Sequence, residues 1–424
     1  MLDIELIRNQ PDVVKAGLVK RTMDPLVVDQ VRQLDGRRRV LLVEVETLKA
    51  ERNAVSKEIG AMEEKAAREA KIAAMRSVGD KIDALDAELS QVETEFDGLM
   101  ATLPNIPEGR VPAGGEEANV EVKLWGEKPK FTFQPKAHWD LGPQLGIIDF
   151  EQGVALTGSR FYVLSGPGAR LQRALIAWML DLHIRQGYTE KYTPFMVREA
   201  TLFGAGQLPK FRENLYKDHE EDLYMIPTAE VPLTGLHMGQ ILDEAELPRR
   251  YTAYSPCFRR EKMSAGRDVR GIKRGHQFDK VEMYKFCRPE DSVEEFERMV
   301  ADAEATCQAL GLPYRLLLKA AGDMSEAAHI GYDIEVWAAG CGEWLEVSSI
   351  SRVGDYQARR AAIKYRPKGE RGTRFVHTIN GSGLGLPRTL IAVLENNQQA
   401  DGSVRVPQVL APWMGGIDTI SLED

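Results

Sequence analysis

The 424-residue chain carries a net charge of −9, and its 43% hydrophobic and 28% charged content is ordinary for a soluble globular protein of two or three domains. No apolar run approaches the roughly 20 residues of a membrane span, and the start, Met1 to Glu5, has neither a basic nor an apolar leader region. We therefore expect a cytoplasmic protein with no membrane partner. The four cysteines lack C-x-x-C spacing, which gives neither a zinc knuckle nor a disulfide framework, so no zinc is expected.

The first hundred residues contain two heptad series. Apolar residues alternate at intervals of three and four from Val31 to Met62 and again from Ile72 to Leu99, with a polar, small-residue stretch at 63–68 between them. This pattern predicts an antiparallel coiled-coil hairpin. At about 1.5 Å per residue, an arm of about 35 helical residues would project roughly 50 Å, far enough to contact something remote. A helical dimerisation hairpin is the alternative.

Two prolines, Pro104 and Pro107, end the hairpin because they cannot continue a helix. We therefore expect an N-terminal domain over 1–105, a linker over 106–130 and a mixed domain over 131–424.

The mixed domain opens with a helix and a strand. Gly168 to Gln186 has the spacing of an amphipathic helix, and Tyr188 to Pro194 is typical of an extended segment closed by proline. Strands and helices then follow without the regular alternation of a parallel sheet. This order favours an α+β fold built on an antiparallel sheet flanked by helices.

The most informative segment is a charged hairpin. The chain runs from Cys257 into Arg259-Arg260-Glu261, continues through a basic, glycine-containing loop, 264–271, and returns over His276 to Glu282. Two strands joined by a mobile cationic loop suit a nucleotide, whose phosphates need arginines and whose base needs an aromatic ring such as Phe278. An ordinary charged hairpin with a solvated turn is the alternative.

Three further segments combine small hydroxyls, carboxylates and glycines: Thr228-Ala229-Glu230, Glu346-Val347-Ser348-Ser349, and Asn380 to Leu384 followed by a helix carrying Arg388 in its first turn. An arginine there can meet a phosphate. Each segment has a structural alternative, namely a helix cap, backbone-bonded serines and a plain turn. The hairpin and these three segments contain no evident nucleophile–base pair and no histidine metal cluster. They therefore suit positioning of a substrate and stabilisation of charge better than proton abstraction.

Together these segments resemble motifs 1, 2 and 3 of the class II aminoacyl-tRNA synthetases: the helix–strand unit ending at Pro194, the Arg259-Arg260-Glu261 hairpin, and the glycine turn before Arg388. Within that class, Thr228-Ala229-Glu230, Glu346 to Ser349 and the coiled-coil arm are similar to the bacterial-type seryl-tRNA synthetases. The resemblance covers essentially the whole chain.

The resemblance implies a homodimeric, ATP-dependent serine–tRNA ligase with the class II antiparallel sheet in 131–424. Its arm would grip the long variable arm of tRNA(Ser), and whether tRNA(Sec) is also charged stays open. Serine would first react with ATP to give seryl-adenylate, and the terminal ribose of the tRNA would then take the seryl group.

The resemblance also implies the ATP contacts. Arg259 would meet the α-phosphate, where negative charge concentrates in the transition state, and Arg388 the γ-phosphate of a bent ATP. Glu261 would help to hold the adenine, Phe278 would stack on it, and the backbone near Gly275 would line that pocket.

Further ATP-binding positions implied are Arg260, Val347 and Ser348. Glu346 and Ser349 are the implied ligands of Mg²⁺ bridging the phosphates, and oxygen ligands suit that hard cation.

For serine, the implied contacts are Thr228, Ala229, Glu230, Glu282 and Ser382, with carboxylates facing the ammonium and hydroxyl groups. A site built to hydrogen-bond a hydroxyl rejects alanine by up to about 10⁴–10⁵ in rate, because its polar groups would be left unpaired. Threonine must instead be excluded by crowding around its methyl group.

Some positions depart from the family pattern, and these put loop conformation, acceptor-end contacts and catalytic rate in question. They are Lys262, Met263, Val269, Arg352-Val353 and Gly385-Leu386-Pro387.

Two alternatives remain for the function. One is a paralogue that activates an amino acid for an acceptor other than tRNA, which the long arm disfavours. The other is a non-catalytic RNA-binding relative, which the intact Arg259, Glu261, Phe278, Glu282 and Arg388 disfavour.

Overall fold

The computed structural model describes residues 1–262 and 269–422. Its α-helices are α1 (Ile4–Asn9), α2 (Pro11–Lys20), α3 (Val27–Ala61), α4 (Lys65–Thr102), α5 (His138–Gln144), α6 (Phe150–Thr157), α7 (Gly166–Arg185), α8 (Glu199–Gly204), α9 (Glu230–Gly235), α10 (Ser292–Ala309), α11 (Tyr356–Ala361), α12 (Leu386–Asn396) and α13 (Ala411–Met414).

Its strands are β1 (Val120–Trp125), β2 (Ile148–Asp149), β3 (Val163–Leu164), β4 (Thr189–Glu190), β5 (Met196–Val197), β6 (Tyr224–Met225), β7 (Ile241–Asp243), β8 (Arg249–Phe258), β9 (Gln277–Cys287), β10 (Tyr314–Leu318), β11 (Ile330–Ala338), β12 (Glu343–Gly354), β13 (Lys364–Arg366), β14 (Arg374–Phe375), β15 (His377–Gly385), β16 (Val404–Arg405) and β17 (Thr419–Ile420).

The larger of two compact units comprises Met1, Lys20–Thr22 and the chain from Pro104 onward. It is built on an eight-stranded sheet in the order β1-β10-β11-β12-β15-β9-β8-β4. Neighbouring strands in this sheet are antiparallel, except that β4 pairs with β8 in parallel. The predicted α+β class with an antiparallel sheet flanked by helices is confirmed.

Helices α7, α10 and α12 bury their apolar faces against this sheet. Leu175, Phe296 and Leu390, one from each helix, belong to one buried cluster with the strand residues Val281 and Ile350. Burial of an aliphatic or aromatic side chain is worth about 1.5–3 kcal/mol, so this cluster fixes the sheet on which the site is built. Helix α7 spans nearly the predicted range and begins two residues earlier.

The segment predicted to be a linker, 106–130, contains β1, which pairs with β10 at the edge of the sheet. The domain boundaries at 105 and 130 stay predictions.

The smaller unit comprises Leu2–Val19 and Met23–Leu103. Its helices α3 and α4 form the predicted hairpin, with a seam built from buried apolar side chains at heptad positions: Val31, Leu41, Val45, Ile82, Leu89 and Phe96. The turn between the helices, 62–64, is shorter than predicted, because Ala66 and Ala67 are strong helix formers and α4 already begins at Lys65.

At the base of the hairpin, Asp35 joins α1 to α3. Its carboxylate accepts two hydrogen bonds of 2.8 Å from Arg8, and it lies 3.5 Å from Arg38 and 3.3 Å from Arg39. The Asp35 side chain is 1% exposed, so three arginines balance a buried charge.

No helix in the described ranges is both long enough and apolar enough to cross a membrane.

Candidate active site

A cavity of about 450 Å³ lies over β9, β12 and β15. Most of the predicted site residues line it: Thr228, Glu230, Arg259, Glu261, Gly275, Phe278, Glu282, Glu346, Val347, Ser349, Ser382 and Arg388. These residues come from segments far apart in the sequence, and the antiparallel sheet brings them together.

One wall of the cavity is the β8–β9 hairpin. Strand pairing sets Cys257 opposite Phe278, and the Arg259 guanidinium lies 5.0 Å from the centroid of the Phe278 ring. The backbone N–H of Arg259 donates to His276 O at 2.9 Å, which fixes the arginine at the end of β8. A cation and an aromatic ring therefore stand side by side, as binding of a phosphate and a base requires.

Two cations on this wall were missed by sequence reasoning. Lys273 and Arg274 follow the basic loop and line the cavity, and Arg274 Nη1 lies 3.8 Å from Glu261 Oε2. Glu261 has a φ of 50°, a conformation that is costly for a residue with a side chain and is often found at functional sites. The basic composition of 264–271 was the only sequence signal for this cationic wall.

Another part of the cavity, formed by β9 and the segment before α9, carries carboxylates together with a lysine. Lys280 Nζ lies 2.5 Å from Glu282 Oε2 and donates to Thr228 Oγ1 at 2.7 Å. All three side chains are buried. Lys280 was also missed, although it alternates with Phe278 and Glu282 along β9 and so shares their face.

Glu230 lies in the same part of the cavity, at the start of α9. Its Oε1 accepts hydrogen bonds from Gln357 Nε2 at 2.7 Å and Asn380 Nδ2 at 3.1 Å. Burial, followed by the negative charge of Glu282, raises the pKa of Glu230 to about 7, even though Lys280 opposes the shift. This carboxyl therefore titrates near neutrality, where a bound ammonium group would favour its ionised form.

A β-bulge in β12 brings the predicted Mg²⁺ ligands, Glu346 and Ser349, to the same side of the strand. In a regular strand, residues three apart point to opposite faces, but the β11–β12 register shifts so that Ser348 faces Ile334 and Glu346 faces Glu335. The extra residue, Val347, places Glu346 and Ser349 on one side, where both line the cavity.

Arg388, in the first turn of α12, lies next to this pair. Its Nη1 donates to the backbone carbonyl of Glu346 at 2.8 Å and lies 3.8 Å from Glu346 Oε2. Burial acts to raise the pKa of Glu346, but the charges of Arg388, Lys319 and Arg259 outweigh it and lower that pKa. Glu346 is therefore an anion, and its side chain is still 44% exposed to the cavity.

An ion pair beneath Ser349 was missed as well. Asp333 lies opposite Ser349 in the β11–β12 pairing and accepts a hydrogen bond from Lys319 Nζ at 2.6 Å. Burial, then the charge of Glu346, raises the pKa of Asp333 to about 7. No local pattern in the sequence predicts this pair, because Lys319 and Asp333 become neighbours only when β10 and β11 align.

Ser382 faces Glu282 across the β15–β9 pairing, and a bulge follows at Gly383. A Cβ atom on Gly383 would overlap the His183 ring, so this position requires glycine.

Three predicted site residues do not line the cavity. Ala229 is fully buried before α9, and Ser348 Oγ donates to Ser382 O at 2.6 Å. The Arg260 guanidinium lies 5.5 Å from the centroid of the Tyr216 ring, and the backbone N–H of Arg260 donates to Asn214 O at 3.0 Å. The Arg259 side chain thus lies beside Phe278 in the cavity, whereas the Arg260 side chain lies beside Tyr216.

The departures from the family pattern have local partners. Arg352 donates to Glu108 Oε2 at 2.6 Å, and Lys262 Nζ lies 3.1 Å from the exposed Glu213 carboxylate. Pro387 lies in the first turn of α12, where its missing N–H costs nothing. Met263, together with the loop residues 264–268, lies outside the described residues.

Outside the cavity, His138, Cys341 and Glu395 form a buried cluster whose ligand-type atoms lie within 4.8 Å of one another. Glu395 Oε1 is 2.8 Å from His138 Nδ1 and accepts from Cys341 Sγ at 3.1 Å, while His138 Nε2 accepts from the N–H of Ile272 at 3.1 Å. The groups satisfy one another, and the cluster holds the end of the basic loop.

Comparison with known proteins shows which family the chain belongs to. The family described as "Seryl-tRNA synthetase N-terminal domain" matches residues 1–107, and the "tRNA synthetase class II core domain (G, H, P, S and T)" matches residues 211–397. A serine–tRNA ligase of Roseiflexus sp. is 63% identical over 99% of each chain.

Two solved structures are similar over nearly the whole length. The seryl-tRNA synthetase of Pyrococcus horikoshii, complexed with ATP, has a TM-score of 0.92 and 38% identity, with 99% of each chain covered. The cytoplasmic serine–tRNA ligase of Naegleria fowleri, in complex with AMP, has a TM-score of 0.87 and 32% identity, with 100% of this chain and 99% of that chain covered. The chain therefore belongs to the seryl-tRNA synthetase family, within the class II aminoacyl-tRNA synthetases.

Proposed function

We propose that this protein activates serine with ATP to form seryl-adenylate and transfers the seryl group to the 3′ end of tRNA(Ser). The observation that carries this proposal is the lining of a single cavity. It combines Arg259, Phe278 and Arg388, which suit a nucleotide, with the carboxylates Glu230 and Glu282, which suit an ammonium group. The ATP and AMP complexes of the two similar enzymes support a nucleotide in this cavity.

In the first step, the serine carboxylate attacks the α-phosphorus of ATP and pyrophosphate leaves. Arg259 at the end of β8 would stabilise the charge that develops on the α-phosphate, because a fixed cation needs no reorganisation at the moment of reaction. Arg388 would hold the γ-phosphate, and Phe278 would stack on the adenine. The protein's contribution is alignment and charge stabilisation rather than proton transfer.

The part of the cavity that carries carboxylates suits serine. Its ammonium group would meet Glu230 and Glu282, and its hydroxyl group would find acceptors or donors among Thr228, Glu282 and Ser382. Alanine would leave these groups without partners, which costs up to about 10⁴–10⁵ in rate.

Mg²⁺ fits the pair formed by Glu346 and Ser349. The bulge at Val347 presents one ionised carboxylate and one hydroxyl on the same side, and hard divalent cations prefer such oxygen ligands. When bound, the ion would neutralise phosphate charge.

The coiled-coil arm formed by α3 and α4 would provide the tRNA contact. Its length supports this role, since 35 residues in α3 at about 1.5 Å each reach roughly 50 Å.

A homodimer is the second part of the proposal. The strand β4 is an edge strand of the main sheet, and near it the side chains of Tyr192, Ile184 and Met196 are exposed, Tyr192 by 82%. An apolar surface of this kind beside a sheet edge is typical of an interface. Sedimentation of the purified protein tests it, and a monomer at micromolar concentration would contradict it.

The enzymatic proposal is tested by ATP–pyrophosphate exchange with each amino acid, followed by charging of tRNA(Ser) and tRNA(Sec). Serine-dependent exchange with charging of tRNA(Ser) is expected. Exchange without charging would instead favour a paralogue with another acceptor, and no exchange would favour a non-catalytic relative.

A further inference from the structure

Arg21 is a buried arginine outside the cavity whose donors all point at backbone. It is 5% exposed and, with Lys20 and Thr22, belongs to the larger unit. Its guanidinium donates to the carbonyls of Asn105 at 2.9 Å, Ala321 at 3.1 Å, Ser325 at 3.2 Å and Ala328 at 2.5 Å.

This arrangement is unusual because a buried cation is normally paired with a carboxylate. Within the described ranges, no carboxylate oxygen lies within 4.0 Å of the Arg21 guanidinium. Burial lowers the pKa of Arg21 to about 10, although the charge of Glu326 opposes the shift. The planar fork of arginine can reach several carbonyls at once, which the single ammonium group of lysine cannot do.

Three of these four carbonyls belong to a loop, 321–328, that forms part of the cavity wall. Ser325 lines the cavity, so the segment clamped from behind by Arg21 faces the site in front. Asn105 reinforces the clamp, since its N–H donates to Glu326 O at 2.7 Å and its side chain to Ala327 O at 2.9 Å.

The same loop reaches a second part of the wall. Glu326 Oε1 lies 2.8 Å from Lys210 Nζ, and Lys210 stands between Gln207 and Phe211, both of which line the cavity. This ion pair therefore joins the two loops.

The second loop adjoins the end of the cavity where Glu230 lies. Gln357 Nε2 donates both to Glu230 Oε1 at 2.7 Å and to the carbonyl of Ala205 at 2.9 Å. A displacement of either loop would thus reach the neighbourhood of Glu230. The second loop also continues to Asn214, whose carbonyl accepts from the backbone N–H of Arg260, but Arg259 and Phe278 are held by the β8–β9 pairing and by the bond from the Arg259 N–H to His276 O.

We infer that Arg21 is a positioning residue for the serine end of the active site: it clamps the loop 321–328, and through Glu326 and Lys210 it sets the wall formed by Ser325, Gln207 and Phe211. The inference rests on the proposed function and deepens it, because it separates serine binding from ATP binding. Arg21 itself touches no substrate.

The test is the full-length Arg21→Lys variant in serine-dependent pyrophosphate exchange. Lysine keeps the charge and much of the length but cannot bridge the carbonyls. We expect the KM for serine to rise about tenfold, which is less than the roughly 10²-fold that a full 1 Å misplacement can cost, while the KM for ATP stays within about twofold. Lys210→Met should also raise the KM for serine. In the double variant Arg21→Lys/Lys210→Met, the fold-rise of this KM should be smaller than the product of the two single fold-rises.

Arg8→Lys is the matched control, because Arg8 is also a bidentate arginine near the N-terminus but contacts Asp35 in the smaller unit. It should leave both KM values unchanged. A lower melting temperature of Arg21→Lys with unchanged KM values, or an equal rise of both, would overturn the inference. Absence of exchange in the wild-type protein would instead refute the proposed function, so the two failures are distinguishable.

Discussion

Lys280 Nζ lies 2.5 Å from Glu282 Oε2, so the carboxylate that is best placed for the ammonium group of serine already has a cation beside it. The two buried charges largely cancel, and a substrate ammonium entering between them would need a second anion. Glu230 is the carboxyl that can supply it, because its pKa of about 7 leaves it partly neutral until a cation binds.

We expect Glu282→Ala to abolish serine activation. The change removes a ligand for the ammonium and hydroxyl groups and leaves Lys280 as an unpaired cation in the serine site. Serine-dependent pyrophosphate exchange should fall by about 10⁴-fold. The fold should stay intact, with the circular dichroism spectrum of the wild type.

Glu297→Ala is a control for this experiment, since Glu297 lies on the surface in a 3.2 Å pair with Arg110. It should exchange like the wild type. Near-normal exchange by Glu282→Ala would remove Glu282 from the serine site.

Serine binding should depend on pH through Glu230. Its pKa is raised from the ordinary 4.5 to about 7, so it is mostly protonated below pH 7 and attracts an ammonium group weakly there. The KM for serine should therefore rise as pH falls from 8 to 6, while the KM for ATP changes less. Because Lys280 lowers the pKa of Glu230, Lys280→Met should move the midpoint to higher pH.

The raised pKa of Glu230 also makes the stability of the fold depend on pH, and here a higher pH is unfavourable. A carboxyl group with a raised pKa binds its proton more tightly in the folded state, so the free energy of unfolding falls as pH rises from about 4.5 to about 7. Glu230→Gln should flatten both the stability profile in this window and the profile of the serine KM. A wild-type serine KM that is constant from pH 6 to pH 8 would contradict this role of Glu230.

Asp35 should be the main electrostatic support of the smaller unit. Its pKa is lowered chiefly by the hydrogen bonds from Arg8, so its contribution to stability is present above pH 3.8 and is lost as pH falls below that value. Asp35→Asn removes the buried negative charge that Arg8, Arg38 and Arg39 surround, leaves Arg8 paired with Glu5 alone, and should cost about 3 kcal/mol in the unfolding of this unit.

Calorimetry can measure this loss, with Asp29→Asn as the comparison. Asp29 is 47% exposed and pairs with Lys15, so its loss should cost less than about 1 kcal/mol. Equal effects of the two changes would show that burial of Asp35 has no energetic role.

Residues whose partners are close in sequence could be predicted. Arg259 and Phe278 belong to one hairpin, and pairing of its strands is enough to bring a cation beside a ring. The seam of α3 and α4 follows from heptad spacing in the same way, because the period of the apolar residues already specifies the buried face.

Other parts of the site depend on contacts that no local pattern encodes. Gln357 reaches Glu230 across more than a hundred residues, and Lys319 meets Asp333 only because β10 and β11 align in one register. Glu346 and Ser349 were predicted as a pair by resemblance, but the reason they share a side is the bulge at Val347, which spacing alone would have argued against. Arg260 and Ser348 illustrate the limit of a resemblance, since each belongs to a segment that carries the resemblance and neither lines the cavity.

The last prediction concerns the coiled-coil arm. Deleting Val31 to Leu99, as the sequence suggests, should abolish tRNA charging and leave adenylate formation largely intact. This deletion also removes Asp35, the buried partner of Arg8, so a shorter one is cleaner. Removing residues 46–85 and closing the hairpin with a short turn keeps Asp35 and the 2.5 Å pair between Arg37 and Glu88.

With the shorter arm, serine-dependent pyrophosphate exchange should stay within about twofold of the wild type, because every residue of the cavity comes from the larger unit. Charging of tRNA(Ser) should fall by several orders of magnitude, since the contact that the arm supplies to the tRNA is lost. Charging at low salt should recover little, because a missing surface cannot be replaced by weaker screening of the remaining charges. If the shortened protein charges tRNA(Ser) normally, the arm is not the tRNA contact, and the alternative that it serves dimerisation then predicts a monomer in sedimentation of the same variant.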